Sequence, residues 1–198
     1  MKKLAVIGTH GVVKTTLCQK LAEYATKQQK RSVKQIGEIA RDCPFPINKG
    51  MCFDSAEWII LKQILEEKES VFRKKVTNSK HRQPSDLDLL ICDRSSYDPY
   101  VYFKVLCKGQ LGSNKVFQYA LSHLWSYDLF VFVHPSGKEI EDDGVRDRNM
   151  MLQYKIHREF ARDIEVLPAI NKKLITISSE DIFAPSPKIV EEIYSCLF

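Results

Sequence analysis

Nine residues near the start of the chain limit its fold more than any others: Gly8-Thr9-His10-Gly11-Val12-Val13-Lys14-Thr15-Thr16. They come after a short apolar run, residues 4–7, and open a helical pattern over residues 15–30. A buried strand, a glycine-bearing turn and a helix, in that order, set the turn at the carboxyl end of the strand and the amino end of the helix. Glycines let backbone N–H groups converge on one point, and the first helical turn adds unpaired donors and partial positive charge. The spacing is that of a phosphate-binding loop, GxxxxGK[ST], met at Gly8, Lys14 and Thr15. In that reading residues Gly8, Thr9, His10, Gly11, Val12 and Val13 wrap the phosphates, and Lys14 reaches the β- and γ-phosphates. The Thr15 hydroxyl ligates Mg²⁺, and Thr16 faces the helix terminus or the α-phosphate side.

One position departs from the pattern. Val13 stands where the loop has a glycine immediately before the lysine. Glycine tolerates positive φ and close backbone approach, and a β-branched side chain does both badly. Two consequences stay open: a phosphate loop that works despite Val13, or a nucleotide-binding regulatory module or inactive enzyme without turnover.

The rest of the chain repeats the same alternation. Short apolar runs at residues 4–7, 33–36, 87–92, 129–133 and 174–177 have the continuous hydrophobicity of strands buried on both faces. Helical patterns cover residues 15–30, 55–69, 97–124, 148–165 and 186–197. Strands alternating with helices imply βαβ units, a parallel sheet and helices on both faces. At 198 residues the chain has the length of one domain. With 44% hydrophobic and 28% charged residues, it is neither disordered nor low-complexity. A net charge of +5 suits an anionic ligand without demanding one. The six cysteines show no CxxC pair and no metal-ligand spacing, and the apolar part of the N-terminus is too short for a secretory leader. No stretch is long enough to span a membrane. The expectation is a soluble, reduced, cytoplasmic protein.

Two segments break the alternation. Residues 72–83 are basic and polar, and read as a solvated helix end and loop. A nucleic-acid surface would need interleaved aromatics or a recognisable module, so no nucleic-acid partner is expected. Residues 136–149 are dense in both charges and poor in apolar side chains, as an ordinary surface loop or a mobile lid would be.

The run from Leu87 to Asp93 is an apolar strand that ends in an acid. An aspartate at that edge, opposite a phosphate loop, can hold Mg²⁺ or its water in the Walker B manner. The segment that begins with this acid, Asp93-Arg94-Ser95-Ser96-Tyr97-Asp98, resembles the D/E-R-S segment of P-loop deoxynucleoside kinases. The stretch Glu38-Ile39-Ala40-Arg41 after the second strand is similar to the Glu-x-x-Arg segment of nicotinamide riboside kinase-like and thymidylate kinase-like ATPases. Asp142-Asp143-Gly144-Val145-Arg146 and Arg148 resemble the arginine-bearing lid of those kinases.

The resemblance implies an α/β P-loop NTPase fold, with a five-stranded parallel sheet of order 2-3-1-4-5, flanking helices and a lid. It implies ATP and Mg²⁺ as cofactors, held by Gly8–Thr16, with Thr15 and Asp93 on the metal. It gives Lys14, Asp93, Glu38, Arg94 and Arg146 catalytic roles and sets Arg148 over the γ-phosphate. Asp93 would support the metal or activate the acceptor, Arg94 would steady phosphoryl oxygens, and Glu38 would hydrogen-bond or deprotonate the acceptor hydroxyl. Arg41 would face an acceptor anion, and Tyr97 would contact the substrate. The acceptor is a nucleoside or a nucleotide, and related small kinases are often dimers, so a homodimer is open.

Plainer roles compete for the same residues. Glu38 is placed to complement a helix terminus, Arg41 to pair with Asp42 or another surface carboxylate, and Arg94 to pair with Asp98. Arg146 and Arg148 could be solvated charges beside Asp142, Asp143 and Asp147. Tyr97, Tyr100, Tyr102 and Phe103 have spacing that suits core packing. An ATPase that acts on macromolecules is disfavoured, because no glutamate accompanies Asp93 and no second domain fits in the length.

Overall fold

The first strand, β1 (Lys2–Ile7), is buried from Lys3 onward. Its side chains alternate between two cores: Ala5 and Ile7 join one, Leu4 and Val6 the other. A strand covered on both faces belongs at the centre of a parallel sheet, and that is where the computed structural model of the chain places it. Residues 1–73, 83–84, 87–108, 112–136, 149–171, 173–183 and 188–198 are described.

β1 pairs in parallel with β5 (Leu89–Asp93) on one side and β6 (Leu129–His134) on the other. β2 (Val33–Ile36) lies outside β5, and β7 (Leu174–Ser178) outside β6. The five-stranded order is β2-β5-β1-β6-β7, which in chain order is the expected 2-3-1-4-5. β5 and β6 share the alternation of β1, with Leu90, Cys92, Phe130 and Phe132 facing one core and Leu89, Ile91, Val131 and Val133 the other.

One face is covered by α1 (Lys14–Lys27) and α7 (Lys188–Ser195), which bring Leu17, Leu21, Val190 and Ile193 onto the sheet. The other face carries α2 (Phe53–Val71), α3 (Asp98–Leu106), α4 (Ser113–Leu124) and α5 (Met150–Val166). This larger core holds Tyr97, Phe103, Tyr127 and Phe160, all fully buried. Each such side chain contributes about 1.5–3 kcal/mol of burial, so most of the hydrophobic stabilisation lies on the α2–α5 face.

Several boundaries differ from those expected. The helical stretch over residues 97–124 is two helices, because Gly112 sits at φ 97°, in the left-handed region that interrupts a helix, just before α4. α1 ends early, with Gln28 as its last cap and Lys30 at φ 53°. α2 runs on to Val71, and Phe72–Arg73 (β3) pairs antiparallel with Gln83–Pro84 (β4) where a solvated loop was expected. α5 begins at Met150 because the Asn149 side chain accepts from the backbone N–H groups of Met151 and Leu152, at 3.0 and 3.2 Å. A short helix, α6 (Pro168–Asn171), precedes β7. Most of the lid segment, including Arg146 and Arg148, lies outside the described residues. Among the described residues no helix is long and apolar enough to cross a membrane.

Candidate active site

The register of the sheet brings the two motifs together. Val6 pairs with Asp93 across β1 and β5, and the Arg94 N–H donates to the Val6 carbonyl at 3.0 Å. The loop after β1 and the turn after β5 therefore leave the sheet side by side at its carboxyl edge.

The loop has the shape a phosphate site needs. Gly8 is at φ 136° and Gly11 at φ 72°. A Cβ on Gly8 would come within 2.8 Å of the Val133 carbonyl oxygen, so only glycine fits there. Val13, the departure from the motif, adopts φ 53° and ψ 29° as the N-cap of α1. The valine thus takes up a left-handed conformation, which glycine adopts without strain, and its side chain packs against the α1–α7 core. The first turn of α1 has no side-chain cap and no acidic residue. Its free N–H groups and its dipole are left to face an anion.

The loop is held from three directions. The Gly8 N–H points at Asp98 Oδ1, 3.4 Å away. Gln153 of α5 donates to the His10 carbonyl at 2.8 Å, and its own carbonyl accepts from the Thr9 hydroxyl at 3.3 Å. The His10 ring Nδ1 is 3.1 Å from the Tyr102 hydroxyl. Lys14 is buried and donates to the Thr9 carbonyl at 2.6 Å. Burial, and then the neighbouring Arg94 charge, lower its pKa to about 8. Thr16 lies in the first turn of α1, half-buried.

Thr15 Oγ1 donates to Asp93 Oδ2 at 2.5 Å. One hydroxyl and one carboxylate oxygen are hard donors that suit Mg²⁺, which usually keeps several waters and takes its remaining ligands from phosphates. Among the described residues no group of three or more His, Cys, Asp or Glu could hold a metal by itself. The residues present fit the expected ion.

Glu38 and Arg94 form the centre of the site. Arg94 Nε and Nη2 both lie 2.7 Å from Glu38 Oε1, while Arg41 Nε donates to Glu38 Oε2 at 3.2 Å. Burial pushes the Glu38 carboxyl up, but the Arg94 and Lys14 charges outweigh it and bring the pKa down to about 2. The Arg94 guanidinium also reaches the Gly8 carbonyl at 3.3 Å and lies over the Tyr102 ring, 5.2 Å from its centroid. Asp98 is fully buried, accepts from the Ser95 N–H and hydroxyl at 2.9 and 2.8 Å, and stands 3.5 Å from Arg94 Nη1. Burial raises its pKa in spite of Arg94 and Lys14.

Two cavities meet at this pair. A small polar one is lined by Gly11, Val12, Val13, Lys14, Thr15 and Asp93 together with His10, Glu38 and Arg94. The second, a cleft open to solvent, is lined by Ala40, Ile47, Met51, Ile59, Pro99 and Tyr102, with Arg41, Asn48 and Asp98. It shares His10, Glu38 and Arg94 with the first. Tyr97 lines neither: its ring is in the core and its hydroxyl donates to Asp163 at 2.9 Å. Asp98, Tyr102 and Gln153 complete the site, although the motifs assign them no role in it. Asp98 carries a signal, its i,i+4 spacing from Arg94. Gln153, on a helix far along the chain, carries none.

Comparisons with known proteins agree with this architecture. A family model described as an AAA domain matches residues 3–184. Among solved structures, a NadR protein in complex with NR superposes with a TM-score of 0.69 at 17% identity, covering 99% of this chain and 51% of that one. A NadR protein in complex with NAD and AMP-PNP gives 0.64 at 15% identity, over 99% and 49%. The chain thus spans about half the length of these structures, and at such identity they establish the fold alone. No curated protein sequence matches it. The resemblance to nucleoside-kinase-type P-loop proteins holds at the level of fold, and the chain belongs to the AAA domain family of P-loop proteins.

Proposed function

We propose that the chain transfers the γ-phosphoryl group of ATP to a hydroxyl of an uncharged, nucleoside-type acceptor. The observation that carries this reading is the junction of the two cavities at Glu38 and Arg94. A small polar cavity on a glycine loop adjoins a larger, mostly apolar one, and the Glu38 carboxylate and Arg94 guanidinium line both. The solved NadR complexes, with NR in one and NAD and AMP-PNP in the other, are in keeping with a nucleotide and a small acceptor.

Charge in the acceptor cleft favours a neutral molecule. Its charged lining residues are Glu38 and Asp98 against Arg41 and Arg94, and Glu38 already engages both arginines. A phosphorylated acceptor would have to break these pairs, whereas a hydroxyl can join them as a hydrogen-bond donor to Glu38.

The chain's residues then divide the work. The α1 terminus and Lys14 hold the phosphates, and Thr15 and Asp93 would hold Mg²⁺, which when bound neutralises charge on the transferring group. Arg94 steadies the phosphoryl oxygens. Glu38, with a pKa of about 2, is a weak base and acts by orienting the acceptor hydroxyl rather than by removing its proton early. That suffices for a loose transition state, in which positioning and charge neutralisation carry most of the rate. The apolar walls of the cleft exclude water from the γ-phosphate. Single-domain organisation, a role for the arginines of segment 136–149, a homodimer and a cytoplasmic site of action belong to the same proposal.

The test is phosphoryl transfer from radiolabelled ATP·Mg²⁺ to a panel of nucleosides and the matching nucleotides, with Lys14→Ala as the blank. Label on a nucleoside that is lost in the blank supports the reading. Label only on nucleotides would overturn the neutral-acceptor part, and ATP binding without transfer to any acceptor would favour the regulatory module.

A further inference from the structure

On the α2 face of the sheet, away from both cavities, one carboxylate gathers four polar side chains. Glu67 is fully buried in α2. Its Oε2 accepts from Lys3 Nζ at 2.9 Å and lies 2.6 Å from His123 Nε2. Its Oε1 accepts from the Tyr127 hydroxyl at 2.5 Å and from Gln63 Nε2 at 2.8 Å. None of these five residues lines either cavity. A buried ion pair rarely outdoes a packed apolar cluster of the same volume in stability, so its presence points to a structural constraint.

The constraint falls on the turn after β5. Gln63 Nε2 also faces the Arg94 carbonyl, at 3.5 Å, and the Tyr127 hydroxyl accepts from the Ser96 N–H at 3.3 Å. The turn after β5 is thus held at two backbone groups, the Arg94 carbonyl and the Ser96 N–H, by members of the Glu67 network. At the first of these grips Arg94 has φ 92°, a conformation that a non-glycine residue keeps only when its surroundings over-determine it. In that conformation the Arg94 side chain projects to Glu38 and the Gly8 carbonyl.

We propose that Gln63, Glu67 and Tyr127 are positioning residues that hold the strained Arg94 backbone so that its guanidinium meets Glu38 at the junction of the two cavities. This rests on the reading of Arg94 as the residue that steadies phosphoryl oxygens. The network acts through Arg94 alone and touches neither the nucleotide nor the acceptor.

Gln63→Met and Tyr127→Phe each remove one arm at nearly constant volume, and the full chain carries two readouts. The first needs no ligand: hydrogen exchange of the Arg94 Nε–H, identified by ¹⁵N NMR from its loss in Arg94→Lys. Either variant should speed that exchange roughly tenfold, the effect of weakening one hydrogen bond to a charged group, with the backbone amides of β6 unchanged. Unchanged exchange at Arg94, or equal acceleration throughout β6, would overturn the proposal. The second readout is a double-mutant cycle on ATP·Mg²⁺ affinity by calorimetry. Gln63→Met should weaken binding roughly 3- to 10-fold when Arg94 is present and not at all in Arg94→Ala. Equal weakening in both backgrounds would overturn it as well. If the parent chain binds no ATP, the functional reading fails, while the exchange measurement still decides the positioning role.

Discussion

Arg94 meets Glu38 with two of its nitrogens on a single carboxylate oxygen, each at 2.7 Å, and both residues line the phosphate-loop cavity and the larger cleft beside it. The pair is largely buried, with side-chain exposures of 10% and 16%. Removing one partner strands the other, which typically costs about 3–5 kcal/mol when the remaining charge is buried.

Acid should expose this dependence. The Glu38 pKa falls from 4.5 in the ordinary state to about 2 in the fold. A depressed carboxyl contributes stability that is complete above pH 4.5 and is lost as pH falls from there through 2. Glu38→Gln should therefore be less stable than the parent chain at pH 7, by an amount on the order of 3 kcal/mol. The gap should narrow steadily as the pH is lowered through that window. Urea denaturation of both chains at about pH 7 and about pH 3 measures it, and a gap that does not change with pH would mean the Arg94 pairing carries no stability. Glu67 is also held at about 2 and titrates in the same window, so the comparison with Glu38→Gln is what isolates the site.

Nucleotide binding should respond at the alkaline end. Lys14 has its pKa lowered to about 8 by burial and by Arg94, and a phosphate beside it would raise that value again. Neutral lysine attracts no phosphate, so ATP affinity should fall as pH rises from about 7 to about 9. At about pH 8 binding should take up roughly half a proton, seen as a buffer-dependent enthalpy in calorimetry. Lys14→Met should bind with no such uptake, and uptake that persists in it would assign the proton elsewhere.

How much of this was legible in the sequence depends on which contacts are local. The phosphate loop, Asp93 and Arg94 lie within short motifs whose spacing survives any packing, and the three central strands read as apolar runs because both their faces are covered, whereas the edge strands β2 and β7, expected to be buried on both faces, expose Lys34 and Thr176. Tyr97 sits one residue from Asp98 and reads as a site residue, yet the turn into α3 sends its ring into the core toward Asp163. Tyr102, about one helical turn beyond Asp98 on α3, faces the cleft instead. Gln153 grips the loop from α5, across a sequence separation of 143 residues, and no local pattern encodes such a contact. Pairing of Arg41 with Glu38 likewise depends on how the turn after β2 folds back.

The metal should enter through Thr15 and Asp93. Their 2.5 Å contact brings a hydroxyl and a carboxylate oxygen to one point, and the hydroxyl has no other role in the fold that this geometry reveals. Thr15→Val keeps the shape and removes one oxygen. ATP affinity measured with and without Mg²⁺ should differ several-fold in the parent chain and by less than about twofold in Thr15→Val. An unchanged Mg²⁺ effect in the variant would remove Thr15 from the metal site.

Val13 decides between a working loop and a disabled one. Its φ of 53° costs a β-branched residue about 1–2 kcal/mol, while its half-buried packing against the α1–α7 core returns about 1 kcal/mol. Val13→Gly relieves the strain but loses that packing and adds about 0.5–1 kcal/mol of chain entropy, so its stability should stay within about 1 kcal/mol of the parent. Val13→Ala loses the packing and keeps the strain, and should be the least stable of the three, by about 1 kcal/mol. Because the valine already has the glycine conformation, ATP affinity in Val13→Gly should change by less than about threefold. Thermal unfolding and calorimetry on the three chains check both orders. A gain of about tenfold or more in ATP affinity on Val13→Gly would show that the valine holds the loop back, and the protein would then be read as a binding module that has given up phosphoryl transfer.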